Sequence, residues 1–412
     1  MKKFKINNIN NFEESPTDRQ ERISWWDQEK LKNAKVMVVG AGAIGNETLK
    51  NLALLGVGNI FIVDFDTIST SNLSRTVLFR KSDVDKNKAE VAAERVRKLA
   101  FNDDIKIDWF HGDLVWDLGT GIYDEMDLVL GCLDNVEARM SINRQCWLTN
   151  TPWIDSGMHE FGMRVEFYNP PQQPCYQCNL TPTQIANSNK RYSCDYAKLK
   201  AFEEDKMPTT QITSAIVSAI QIQEAIKFLC GQEVAIGKKI YFQGKNNDFD
   251  ILKKHPNDSC TAHASYPEVI NISLDISATL KELLTHISDD KYSKGSASLD
   301  FRGDRTFVKK ANCRTCSSEI KLMRPTYKID AEEFICASCR EGGQSYANTD
   351  ANTETNKEVQ EVFSLENTDE ILLNFTLEQL GVPHMQIIAV LSKENTYKYY
   401  KLTDRKILKT IK

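Results

Sequence analysis

From Val36 onward the chain alternates short apolar runs with amphipathic stretches. VMVVG reads as a strand, AIGNETLKNLALLG as a helix and NIFIVDF as a second strand. A charged amphipathic helix (KNKAEVAAERVRKLA) follows, then strands at IKIDWF and MDLVLGC. A helix over VEARMSINRQCWLT and strands at PWIDS and MRVEFYN continue the series. This alternation predicts an α/β, Rossmann-like domain over 36–265, with a mostly parallel sheet covered on both faces. Residues 1–35 are polar at first and then helical in pattern (TDRQERISWWDQEKLKN).

The pattern breaks from Pro171 to Pro208 into a polar stretch with no clear period. So long an irregular segment predicts a functional, mobile loop, placed at 181–208. A long helix (TTQITSAIVSAIQIQEAIKFLCG) stops at Gly231 and leads to a strand, KKIYFQG. That helix is apolar enough to be buried or to lie at a subunit interface. A second unit is predicted over 266–412. PEVINISL reads as a strand, SATLKELLTHI as a helix, and a cysteine-rich insert spans 311–342. GGQSYANTDANTETNKE has linker composition. The late strands EVFSLE, MQIIAVLS and YKYYKL enclose TLEQLGV, which reads as another short helix. Together they predict a small α+β module with a ubiquitin-like pattern.

At 412 residues the chain is long enough for two or three domains, and its net charge of −5 gives no reason to expect nucleic acid as a partner. No run approaches the roughly 20 apolar residues of a membrane span, and MKKFKINNINNFEES lacks a signal peptide's apolar core. A cytoplasmic location is the expectation. There are eleven cysteines, and six of them form CxxC pairs: Cys175/Cys178, Cys313/Cys316 and Cys336/Cys339. In a long chain without an export signal, metal binding explains such pairs better than disulfides.

Gly40, Gly42 and Gly45 make a GxGxxG loop between the first strand and helix, and Asp64 ends the second strand. Backbone N–H groups at such a helix start face phosphate, and a carboxylate at the strand end can hold ribose hydroxyls. A nicotinamide or flavin enzyme would look the same up to this point. The loop after Asp64 then adds Asp66, Asn72 and Arg75, groups suited to a triphosphate. Lys88 could reach the same cleft from a helix start, or simply lie on a solvated helix face. Asp134, in CLDN after an apolar strand, could hold Mg²⁺ between phosphate oxygens or cap the next helix.

RQERI, GAGAIG, DFD…SNLSR, Lys88 and CLDN, in this order, resemble the ubiquitin-like-protein activating enzymes. The same set marks the sulfur-carrier adenylyltransferases of thiamine and molybdopterin synthesis. The resemblance covers about 19–265 and implies ATP·Mg²⁺-dependent adenylation of the C-terminal carboxylate of a ubiquitin-like protein. It would place Asp64 on the ribose, Asn72, Arg75 and Lys88 on the phosphates and Asp134 on Mg²⁺. Arg19 would be an arginine finger supplied by the other subunit of a homodimer. One departure is DKNK, where Asp85 stands in place of the family's glycine.

The resemblance also implies a thioester cysteine just before the PTT at Pro208–Thr210, but EEDKM there contains none. The nearest is Cys194, outside every CxxC pair, with Arg191 and Lys198 to favour its thiolate. Such an enzyme would pass the activated protein to a conjugating enzyme, in protein tagging or bacterial antiviral defence. Cys313, Cys316, Cys336 and Cys339 have zinc-ribbon spacing. The family's second CxxC falls on HPNDSCTAH, so the resemblance completes a first Zn²⁺ site with Cys175, Cys178, Cys260 and His263. An alternative pairs Cys175/Cys178 with one of the later CxxC pairs. Two readings compete with the activating enzyme: a sulfur-carrier adenylyltransferase, and a non-catalytic zinc-containing adaptor on a nucleotide fold.

Overall fold

The computed structural model describes residues 15–189, 208–288, 298–300, 307–313, 316–329, 357–362, 364–366, 370–391 and 396–412. Two short helices, α1 (Asp18–Glu21) and α2 (Gln28–Asn33), lie within the stretch read as helical near the start. The α/β domain then runs β1 (Lys35–Val39), α3 (Ala43–Leu54), β2 (Asn59–Val63), α4 (Lys88–Leu99) and β3 (Lys106–Phe110). It continues with α5 (Thr120–Asp124), β4 (Leu128–Gly131), α6 (Val136–Thr149), β5 (Trp153–His159) and β6 (Gly162–Tyr168). Next come α7 (Pro182–Asn189), α8 (Gln211–Leu229), β7 (Lys238–Gln243) and β8 (Asp248–Lys253).

These strands form one eight-stranded sheet in the order β3-β2-β1-β4-β5-β6-β7-β8. The first five are parallel, and β6, β7 and β8 add on antiparallel. The sequence pattern gave no warning of β8, because DFDILK is exposed along its whole length and lacks an alternating buried face. Helix α7 shortens the segment read as irregular: Pro182 starts a helix in what looked like loop.

One face of the sheet packs Val36, Val38, Ile60 and Ile62 against α3, α4 and α8. α8 has the length and hydropathy of a membrane span, but half of that stretch is buried within the protein. Gln221 fastens it there, its Nε2 donating to the carbonyls of Gly131 (3.2 Å) in β4 and Ile154 (3.1 Å) in β5. The opposite face packs Met37, Val39, Phe61 and Val63 beneath α5 and α6, and also beneath Leu408 and Ile411 from the end of the chain.

The second unit is α+β. A five-stranded mixed sheet, β14-β10-β15-β16-β9, uses β9 (Val269–Ile272), β10 (Ser298–Asp300), β14 (Ser364–Glu366), β15 (Ile387–Leu391) and β16 (Tyr397–Leu402). α9 (Leu280–Ser288) contributes Leu280, Leu283, Leu284 and Ile287 to its core. A separate three-stranded sheet holds β11 (Phe307–Cys313), β12 (Glu319–Pro325) and β13 (Lys357–Val362). EVFSLE is therefore not one strand but parts of β13 and β14, in different sheets. TLEQLGV forms turns rather than a helix, ending at Gly381 with φ +82°.

The second unit is tied to the first by ion pairs and main-chain bonds. Lys401 Nζ lies 2.8 Å from Asp124 and 2.6 Å from Glu125, and Arg405 lies 3.0 Å from Glu125. Near the end of the chain the N–H groups of Thr410 and Ile411 donate to Asp108, at 2.8 and 3.0 Å.

Candidate functional site

The strand order reverses between β1 and β4, so the chain leaves a crevice at their carboxyl ends where ligands of doubly wound sheets bind. The glycine loop lies there. Gly40 has φ +93°, and a Cβ on it would fall 2.6 Å from the Cys132 carbonyl oxygen. A Cβ on Gly45 would fall 1.9 Å from the Gly40 carbonyl, so both positions require glycine. Gly42, the N-cap of α3, would direct a Cβ into open space. The helix start is thus left accessible to an anion.

Asp64 braces this loop from β2. Its Oδ2 accepts from Ala41 N (2.6 Å) and its Oδ1 from Asp66 N (2.7 Å). Burial pushes the Asp64 carboxyl above its usual range, against the pull of the Lys88 charge and these N–H groups. Lys88 is not on a solvated helix face: it is 8 % exposed, and its Nζ lies 2.7 Å from Asp66. Asp85 keeps the preceding turn by taking φ 69° itself, the left-handed conformation a glycine would take more easily.

Asn72 and Arg75 sit in and just after a 3₁₀ turn at Thr70–Asn72. The Asn72 Oδ1 accepts from Ser69 N at 2.9 Å, and Arg75 Nη1 donates to the Ser71 carbonyl at 2.8 Å. Across the crevice, Asp134 is exposed at the start of α6. It does not cap that helix. Asn135 does, accepting from Ala138 N at 2.8 Å, while its Nδ2 donates to Asp134 Oδ1 at 3.3 Å.

Arg19 is not brought to this crevice. It is exposed on α1, whose Gln20 donates to the Leu54 carbonyl at the far end of α3. Twelve helical residues, about 18 Å, separate that end from the glycine loop. Cys194, Cys336 and Cys339 lie outside the described residues. Cys313 is buried at the end of β11, and the exposed Cys316 has its Sγ 3.1 Å from Ser318 Oγ.

Cys175, Cys178, Cys260 and His263 do come together, with their donor atoms all within 4.8 Å of one another. Cys175 Sγ lies 3.6 Å from Cys260 Sγ and 3.7 Å from Cys178 Sγ, and Cys178 Sγ lies 3.2 Å from His263 Nε2. Thiolates around a tetrahedral zinc stand about 3.7 Å apart, so the set fits a closed Cys₃His ion site. The His263 ring packs on Trp147 of α6, with centroids 4.4 Å apart. A metal there would tie the segment after β8 to the segment after β6.

A buried ionic network beneath β5 and β6 escaped the sequence reading. Asp155, Arg164 and Glu166 stand in what look like plain strands, and only the pairing of β5 with β6 puts them on one face. Burial alone would push the Glu166 carboxyl up. The charges of Lys254 and Arg164, with hydrogen bonds from Lys254 and Tyr168, outweigh that and bring it down to about 2. The folded state therefore binds this proton less readily than the unfolded chain. Its stabilisation is complete above the unfolded value near pH 4.3 and is lost as pH falls toward 2. Urea unfolding is expected to show a loss on the order of 3 kcal/mol over that window. Glu166→Gln should flatten this part of the profile; an unchanged acid limb would contradict the assignment.

A family model described as "ThiF family" matches residues 17–262. The chain belongs to the ThiF family. Among its relatives, SUMO-activating enzyme subunit 2 of Dictyostelium discoideum is 40 % identical over 161 residues, 38 % of this chain and 24 % of that protein. The sulfur carrier protein ThiS adenylyltransferase of Escherichia coli (strain K12) is 30 % identical over 237 residues, 57 % of this chain and 87 % of that protein. A crystal structure of E. coli MccB with selenomethionine-labelled MccA aligns at 26 % identity and a TM-score of 0.50, over 62 % of this chain and 75 % of that one. The chain spans about a quarter of the SUMO-activating relative's length and most of the ThiS adenylyltransferase's. The match to the ThiF family ends before the second unit, at residue 262.

Proposed function

We propose that this ThiF-family chain activates a ubiquitin-like protein by adenylating its C-terminal carboxylate. The observation that carries the reading is the crevice between β1 and β4. It combines an accessible helix start at Gly42, a braced Asp64, a buried Lys88 paired with an exposed Asp66 and an Asp134 that the helix cap does not use. ATP would lie with its ribose at Asp64 and its phosphates toward Asn72, Arg75 and Lys88. Asp134 would hold Mg²⁺, which offsets charge on the phosphates. One carboxylate oxygen of the incoming tail attacks the α-phosphorus, forming the acyl–adenylate bond as pyrophosphate leaves. Charge builds on the leaving group, where fixed cations lower the barrier.

Arg19 lies too far from its own crevice to take part in it, which supports a homodimer in which each copy's Arg19 serves the other's site. The Cys₃His cluster supports a structural Zn²⁺, and the second, Cys₄ site would use Cys313, Cys316, Cys336 and Cys339. After the adenylate, Cys194 would take the acyl group as a thioester and pass it to a conjugating enzyme, with the ubiquitin-fold-like unit at 266–412 recruiting partners. The second reading, transfer to a sulfur donor, is favoured by the long match to ThiS adenylyltransferase.

ATP–pyrophosphate exchange dependent on a ubiquitin-like protein or a sulfur carrier tests the first step. Exchange with neither would defeat the adenylation reading. A thioester on Cys194 should appear as a thiol-sensitive gel shift that vanishes in Cys194→Ala; a shift that persists assigns the nucleophile elsewhere.

A further inference from the structure

Asn46 stands in α3 directly after the last glycine of the loop, and it is fully buried. A side-chain amide can donate twice and accept at the same time, and this one does both. Its Nδ2 donates to the carbonyls of Ala41 (2.7 Å) and Gly42 (3.0 Å), and its Oδ1 accepts from Leu78 N at 2.9 Å. The two sets of partners lie in separate segments. Ala41 and Gly42 belong to the glycine loop, and Leu78 belongs to the stretch that follows Asn72 and Arg75.

Each set leads on to a group of the nucleotide crevice. Ala41 is held from both sides, its carbonyl by Asn46 and its N–H by Asp64 Oδ2 at 2.6 Å. On the other side, Thr76 Oγ1 lies between Arg75 and Leu78 in the chain and donates to the Asn72 carbonyl at 2.9 Å. Leu78 and Phe79 join the core that also holds Leu49 and Leu52 of α3. Helix α3 does not need Asn46 to stay in place. Leu49 and Leu52 pack it, and Thr48 Oγ1 reaches Ser218 Oγ and Gln221 Oε1 on α8, both at 3.0 Å. The Asn46 amide instead joins two segments that each carry part of the crevice.

We infer that Asn46 is a positioning residue: it clamps the glycine loop and the Asn72–Arg75 turn into one body that meets a triphosphate; its link to ATP rests on the adenylation reading. Main-chain N–H groups from one segment and the cation from the other are then set before ATP arrives, so binding does not have to order them. A shorter side chain cannot span both segments. Its loss leaves the buried Leu78 N–H and Ala41 carbonyl without their side-chain partner.

Hydrogen exchange on the full chain, with ATP·Mg²⁺ and adenosine as probes, tests the clamp. Without nucleotide, Asn46→Ser should speed exchange of the Leu78 amide at least about ten-fold. Ser218→Ala, which removes an equally buried hydroxyl bonded to the same helix, should leave that amide as in the wild type. Asn46→Ser should also weaken ATP·Mg²⁺ binding at least about ten-fold and adenosine binding by less than about two-fold, because adenosine has no phosphates for the clamped segments to hold. Unchanged Leu78 exchange, or an equal loss for ATP and adenosine, overturns the inference. Should Asn46→Ser fail to fold, the wild type decides: ATP·Mg²⁺ should slow exchange in the glycine loop and at Leu78 together, and slowing in the loop alone overturns the clamp. Failure of the wild type to bind ATP·Mg²⁺ would instead overturn the adenylation reading, and the Leu78 exchange rate in Asn46→Ser would still decide the clamp.

Discussion

Asp134→Ala is expected to lower ATP–pyrophosphate exchange by about 10²- to 10³-fold, the scale of removing one group that stabilises charge in a transition state. Thermal stability should hardly change. Asp134 is exposed at the crevice, and the helix cap belongs to its neighbour Asn135. Asn135→Ala should give the opposite pattern: a loss of about 1 kcal/mol in stability with exchange largely kept. Running the two variants side by side separates chemistry from folding at adjacent positions. Normal exchange in Asp134→Ala would remove this residue from the phosphate site.

Removing the proposed Cys₃His metal should have the largest effect on stability. Cys175→Ser is expected to eliminate one zinc per chain, measured by plasma emission, and to lower Tm by roughly 10 °C. The cluster joins Cys175 and Cys178, which follow β6, to Cys260 and His263, which follow β8. Without the ion, three thiols and an imidazole stay crowded beside Trp147, and nothing offsets the cost of holding the two segments together. The intact chain should contain two zincs; a single zinc lost entirely in Cys175→Ser would remove the second, Cys₄ site.

Lys88 and Asp134 show how far a linear reading reaches. Each could be given a bland local role, a solvated helix face for Lys88 and a helix cap for Asp134. Packing overturned the first, since Lys88 is buried on Asp66, and a neighbour took over the second. The glycine loop needed no such arbitration, because steric demand at Gly40 and Gly45 is imposed by main chain only a few residues or one strand away. TLEQLGV was misread because a short apolar period occurs in packed turns as well as in helices. β8 was missed because an exposed edge strand has no buried face to leave an alternating pattern.

By itself the sequence determined the α/β alternation, the nucleotide-type loop, the acids and cations after it and the cysteine spacing. All of these are written in local periods and short motifs, where backbone geometry and chemistry depend on near neighbours. The tertiary structure alone decided that Arg19 stands far from its own crevice and that Leu408 and Ile411 complete the core above β1 and β2. It alone set the buried Asp155 between Arg139 and Arg164. Those facts follow from how strands and helices distant in the chain are registered and packed. Their energies come from burial and charge pairing across the fold, which no local pattern encodes.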